Sequence, residues 1–171
     1  MSKRRVYYRK KSDHQSRVEK FMAFAKQDIP SSPTMPDEKT RELRAKLILE
    51  ETLETIRDLG FSMAIHNGAL HQGLELSKNL IDDIAFNPTG KETLSGIADG
   101  CADIIVVTTG TLSACGIADV SIQREVDKNN LAKFGPGHSY REDGKLVKPP
   151  GHRPPDLEGV IEKQIRESQA T

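Results

Sequence analysis

The sequence predicts an all-α protein: a bundle of four to five helices with a small β-hairpin insertion and an extended C-terminal tail. Three observations carry this. Four long segments place apolar residues at helical spacing. Each is bounded by a polar capping residue, a proline or a glycine at the position where a helix starts or stops. And 171 residues suffice for one domain with a sizeable core.

Taken in order, residues 1–12 form a basic arm: Lys3, Arg4, Arg5, Arg9, Lys10 and Lys11, with Tyr7 and Tyr8 between them. A run of this charge reads as a flexible, solvated arm, or as one that touches an acidic partner. Residues 13–171 read as a single domain. Its first helix fits Asp13 to about Gln27, with Val18, Phe21, Met22 and Phe24 as the apolar stripe. Pro30, Pro33 and Pro36 then enforce an extended connector. Asp37 is placed to cap a long helix reaching Leu59, which Gly60 ends.

Residues 61–90 read as an insertion with β character. Asn67-Gly68 is a hairpin signal, 80–86 fits a short strand, and Asn87-Pro-Thr-Gly90 fits a turn. An apolar helix from about Glu92 to Cys115 follows, stopped by Gly116. Asp119 is placed to cap a further helix through Phe134, with Gly135 as its stop. In the tail, 136–171, a small hairpin is expected around Asp143-Gly144. An extended proline-rich segment, 149–155, follows it, and Asp156 would cap a short last helix through about Glu167.

Composition narrows function. The 25 basic and 25 acidic residues cancel, so general binding to nucleic acid or a membrane surface is not expected. No stretch spans a bilayer without polar breaks, and the basic N-terminus lacks the apolar region of a secretory signal. Cys101 and Cys115 lie fourteen residues apart on one helix, roughly 21 Å, too far to pair. Reduced thiols point to the cytoplasm.

The informative anomaly lies in the apolar helix. Between Leu94 and Gly116 the only charged residues are Asp99 and Asp103, four apart on one helical face. So apolar a segment should be buried, buried carboxylates need a compensating charge, and the run supplies none. Upstream, Glu50, Glu51 and Glu54 fall within roughly a 100° arc, in line with Leu43 and Leu47. Ile48, Leu49, Leu53 and Ile56 make a second apolar face, which would place that helix centrally. The glutamates alone could be a solvated face, and the aspartates alone could be salt-bridged. Together, five carboxylates on two helices suit a hard divalent cation, magnesium or manganese. Di-iron would want Glu-x-x-His and zinc would want His or Cys at other spacings. His66 and His71 lie outside the acidic helices, and Cys101 reads as core. Asn130 and Lys133 share a face near the end of the fourth helix and suit phosphate oxygens. A plain cationic last turn would look the same.

With these residues in view, the sequence resembles the all-α nucleoside triphosphate pyrophosphohydrolases, the MazG-like and phosphoribosyl-ATP pyrophosphohydrolase-like superfamily. The resemblance rests on Glu50-Glu51-Thr-Leu-Glu54 and Asp99-Gly-Cys-Ala-Asp103. It extends to Pro33–Asp37, Arg41–Glu50, Gly110–Ile117, Asn129–Phe134 and Asp143–Pro150, across roughly Val18 to Leu157, and fits a subgroup common in bacteria and phages. The commoner form of the second motif is Glu-x-x-Asp. Here Gly100 holds the Glu position and Asp99 lies one residue earlier. The insertion at 61–90 is also longer than in compact members.

The resemblance implies hydrolysis of a nucleoside triphosphate to a monophosphate and pyrophosphate, as in nucleotide-pool housekeeping. Glu51, Glu54, Asp99 and Asp103 would hold Mg2+, with Mn2+ as a substitute. Glu50 would orient or deprotonate the attacking water, so Glu50, Glu51 and Glu54 form the catalytic set. Lys133, Asn130 and, as a weaker candidate, Arg44 would bind substrate. Superfamily members build their sites in oligomers, so a homodimer or homotetramer is expected. The alternatives are a non-catalytic nucleotide- or metal-binding module and a nucleic-acid-associated regulator using the basic arm. Phe21, Phe24 and Phe134 could stack on a base but read as core.

Overall fold

A computed structural model describes residues 7–65, 84–142, 144 and 146–170. Among them are five helices and two short antiparallel ribbons, so the chain is mostly helical, consistent with the expected all-α class. Contacts divide the chain into two compact units, Met1–Thr40 with Thr109–Thr171, and Arg41–Thr108.

In the first unit, helix α1 (Asp13–Phe24) buries Gln15, Val18 and Met22. Phe21 and Phe24, expected in that stripe, are instead 65% and 77% exposed. They sit roughly 90° and 150° around the helix from the buried face, too far to turn inward. Gln15, which apolar periodicity passes over, is fully buried and fully used. Its Nε2 donates to Ser113 Oγ at 3.1 Å and to the Ile117 carbonyl at 2.7 Å, and its Oε1 accepts from the Asp119 amide at 2.9 Å. Gln164, on the last helix (Leu157–Gln169), acts on the same turn. It accepts from the Ala118 amide and donates to the Ala118 carbonyl and Ser121 Oγ, all within 2.8–2.9 Å. Two buried amides thus satisfy the turn between the apolar helix and the next one, where bare backbone groups would be costly. Gly116, at φ +66°, makes that turn. A Cβ there would run into the Ser32 carbonyl oxygen.

The following helix spans Asp119–Ala132. The expected cap by Asp119 is not made: Ala118 holds the N-cap position, with no side-chain hydrogen bond. The Asp119 carboxylate instead accepts from the Ser12 amide and hydroxyl. Glu167 takes the amides of Tyr8 and Arg9, both at 3.0 Å, and Ser121 Oγ donates to the Tyr8 carbonyl. The described part of the basic arm is therefore bound by its backbone to the unit's body rather than solvated. The tail hairpin forms as expected, Ser139–Tyr140 pairing with Leu146–Val147, with Gly144 at φ +78° and Asp143 outside the described residues. Asp156 caps the last helix, accepting from the Gly159 amide at 3.0 Å.

In the second unit, helix α2 (Glu38–Asp58, entering the unit at Arg41) starts at the expected cap, with Asp37 Oδ1 accepting from the Thr40 amide at 2.7 Å. Strands β1 (Phe61–Ile65) and β2 (Ile84–Pro88) pair antiparallel, Phe61 opposite Pro88 and Ile65 opposite Ile84. The expected turn at 87–90 thus starts two residues late, because proline is tolerated at a ribbon's end. The proposed Asn67-Gly68 turn, His66, His71 and residues 80–83 of the other expected strand lie outside the described residues.

The apolar helix, α3 (Leu94–Ala114), runs antiparallel to α2 within this unit. A Cβ on Gly100 would lie 2.6 Å from Thr55 Oγ1 and 3.0 Å from Thr55 Cα. One on Gly96 would lie 3.2 Å from Asp58 Cβ. These contacts hold the residue numbers at a nearly constant sum, so Glu51 falls opposite Asp103.

Two expectations about burial fail here. Leu43, Leu49 and Leu53 of α2 are exposed, so its apolar faces are not covered by the described chain. On α3, Leu94 is 88% and Ile105 54% exposed, and Asp99, Cys101 and Asp103 are exposed too. The described residues cover only part of this helix's surface. By length and composition α3 is apolar enough to cross a membrane, despite its two acids, with 28% of its apolar window buried.

Candidate active site

The site is built on the α2–α3 contact. Arg44, Glu51 and Thr55 share one stripe of α2, at spacings of seven and four. Arg44 and Thr55 are buried and Glu51 is half-buried. Glu50 and Glu54 flank the stripe and are exposed. Gly100 lets α3 approach the α2 backbone at Thr55, one turn from Glu51, and this explains the altered second motif. A glutamate at that position would have to occupy the space of the α2 backbone. The acid is carried one residue earlier, on Asp99, at the edge of the contact. There the small residues Gly96, Ala98 and Ala102 leave an open depression of about 720 Å3.

The electrostatics tie both motifs together. The Glu51 carboxyl is pushed above the usual carboxylate range, first by partial desolvation, then by the negative charges of Asp103, Glu54, Glu50 and Asp99 in that order. The other four acids singled out from the sequence therefore all act on Glu51, Asp99 most weakly. Like charges held together raise the carboxyl pKa because each disfavours ionisation of the next.

The donor chemistry fits a hard divalent cation: only oxygen ligands, and an excess of negative charge that a cation offsets. The rotamers do not yet form a ligand set. Among the described residues, no three His, Cys, Asp or Glu side chains converge tightly enough to hold an ion as they stand. Glu54 is in part committed elsewhere, 3.7 Å from Arg57 Nη2, while Arg57 Nε donates to Asp58 at 3.1 Å.

Arg57 is the functional candidate that sequence reasoning missed. It lies three residues after Glu54, a spacing that signals an ion pair but had no part in the acid pattern. Its guanidinium lies within ion-pair distance of a motif acid, Glu54.

Arg44 is on the stripe but buried. Asn130 and Lys133 lie in the first unit on an exposed helix end, where Lys133 Nζ donates to Asn130 Oδ1 at 2.6 Å. They share a face, as their spacing predicts. Cys101, expected in the core, is exposed, and neither cysteine forms a disulfide.

Comparison with known families yields a match. The family model described as phosphoribosyl-ATP pyrophosphohydrolase aligns with residues 18–130, about two-thirds of the chain, and that span contains all five acids. No curated protein sequence matches.

Proposed function

The chain belongs to the phosphoribosyl-ATP pyrophosphohydrolase family, within the MazG-like superfamily, and from that premise we propose that it hydrolyses a nucleoside triphosphate to a monophosphate and pyrophosphate. Pyrophosphohydrolysis of phosphoribosyl-ATP or a related nucleotide is the activity the family carries. The observation that supports the finer reading is the coupling of Glu51 to four further carboxylates drawn from both motifs.

Glu51, Glu54, Asp99 and Asp103 would hold Mg2+, or Mn2+ in its place. The cation would bind the triphosphate and offset charge that develops as the anhydride breaks. Glu50, exposed beside Glu51, takes the proton of the attacking water. That water adds at phosphorus, the anhydride bridge opens, and pyrophosphate leaves. Arg57 moves from Glu54 to a phosphate oxygen as Glu54 turns to its ligand role. Asn130 and Lys133, an amide and an ammonium on one face, suit phosphate oxygens.

The uncovered apolar side chains of α2 and α3 support an assembly of at least two copies, burying Leu49, Leu53 and Ile105 against another chain. Covering α3 with protein rather than lipid suits its two aspartates, which are costly in hydrocarbon. A cytoplasmic, membrane-free protein with two thiols follows from the same reading.

The test is a panel of canonical and modified nucleotides, with magnesium, assayed for pyrophosphate against orthophosphate. Pyrophosphate from at least one nucleotide is expected. None from any, with the protein folded and magnesium-saturated, overturns the proposal.

A further inference from the structure

The first unit contains a groove that the acidic cluster does not use. One wall is a face of the helix Asp119–Ala132, presenting Lys128, Asn129 and Ala132. The other is the proline-rich tail at Pro149, Pro150, His152 and Arg153. Its volume is about 510 Å3, within the range of small-molecule sites, roughly 300–1,000 Å3. The tail is fixed in place at two points. Asn129 Nδ2 donates to the Arg153 carbonyl at 2.7 Å, and the Asp156 amide donates to Glu125 at 3.4 Å.

The groove has two chemistries. Its proline rings form a flat apolar lining. Lys128 and Arg153 bring two cations, against one acid, Glu125, whose carboxylate lies 3.6 Å from Lys128 Nζ. One charge therefore remains in excess, and the Arg153 guanidinium suits a planar or tetrahedral oxyanion. A third feature asks for a partner. His152 Nε2 is shut off from solvent and has no hydrogen-bond partner, a state that buried polar atoms rarely keep. Asn130 and Lys133 do not line this groove, so it is distinct from the phosphate-holding pair considered above.

We propose that this groove binds a nucleoside monophosphate or a close analogue, with the phosphate at Lys128 and Arg153 and the base against the prolines. No divalent cation is needed, because the groove's own cations meet the anion. Such a site would sense the product class of the proposed reaction. It stands whether or not that reaction occurs.

The test uses the full chain in EDTA, titrated with adenosine 5′-monophosphate and followed by calorimetry and amide NMR shifts. Saturable binding is expected, with inorganic phosphate competing for it. The double variant Lys128→Ala/Arg153→Ala should weaken binding about tenfold or more with an unchanged circular dichroism spectrum. The double variant Glu51→Gln/Asp103→Asn should bind as the parent does. The proposal is overturned by an absence of saturable binding, by equal binding in the Lys128/Arg153 variant, or by loss of binding in the Glu51/Asp103 variant. The last outcome would assign the nucleotide to the acidic cluster.

Discussion

The turn at Ala118 in the first unit and the acidic cluster in the second handle their polar groups in opposite ways. At the turn, buried polarity is matched partner for partner. Gln15 and Gln164 are inaccessible to solvent, yet their amides meet backbone and hydroxyl groups on both sides of one turn. At the cluster, four further carboxylates surround Glu51, with one exposed arginine at the edge. A satisfied network fixes a structure. An unsatisfied one stores a demand that something else must meet. The turn is satisfied within one chain, while the cluster keeps an excess of negative charge that the proposed cation would offset.

The sharpest way to break this comparison is to remove the demand. Glu51→Gln should lower catalytic activity by about a thousandfold, near 4 kcal/mol in the barrier, and Asp103→Asn should do nearly as much. Neither should destabilise the cation-free fold, since each removes a repelling charge. Pyrophosphate release and thermal melting on the same samples separate the two effects. Substantial loss of melting temperature in Glu51→Gln would mean that the acid is structural.

The opposite behaviour is expected in the first unit. Gln164→Ala strands both backbone groups of Ala118 and leaves Ser121 Oγ without the N–H it accepts, at a cost of about 3 kcal/mol. Urea unfolding measures it, and a change below 1 kcal/mol would show that water replaces the amide without penalty.

A smaller effect probes the contact that assembles the site. Gly100→Ala gains about 1 kcal/mol in helix propensity but forces a methyl group against Thr55 Cα, costing about 1–3 kcal/mol. A net loss of about 1 kcal/mol is expected. Adding Thr55→Ala should recover part of it, since Oγ1 is removed while the Cα clash persists. A stabilised Gly100→Ala protein would mean that the helices are not in close contact there.

What the sequence made legible follows the same division. The acids could be read because carboxylates in an apolar run are chemically conspicuous, and Asp37, Gly60, Gly116 and Asp156 mark their helix ends as capping rules predict. The buried glutamines could not be read, because no periodicity distinguishes a glutamine that brackets a distant turn from one in solvent. Phe21 and Phe24 misled for a related reason: an apolar side chain reports a wish for cover, not which surface provides it. Asp119 has the residue type of a helix cap and was read as one, but a tertiary partner, Ser12, claimed it. The departure at Gly100 was visible in sequence, while its cause, the backbone of Thr55, exists only in three dimensions.

The smallest expected effect concerns pH. Glu51 has a raised pKa in the folded state, so between its unfolded and folded values the native protein binds more protons than the unfolded chain. Stability attributable to this group therefore falls as pH rises through that window and stays low above it. In the cation-free protein, Glu51→Gln should flatten this decline on the alkaline side of the ordinary glutamate range. Magnesium should stabilise the parent more at pH 8 than at pH 5, because it must displace the proton that Glu51 retains. Melting curves of both proteins at the two pH values, with and without magnesium, test the linkage. An equal magnesium effect at both pH values in the parent, or a parent and variant with the same pH dependence, would show that the five carboxylates do not act as one site.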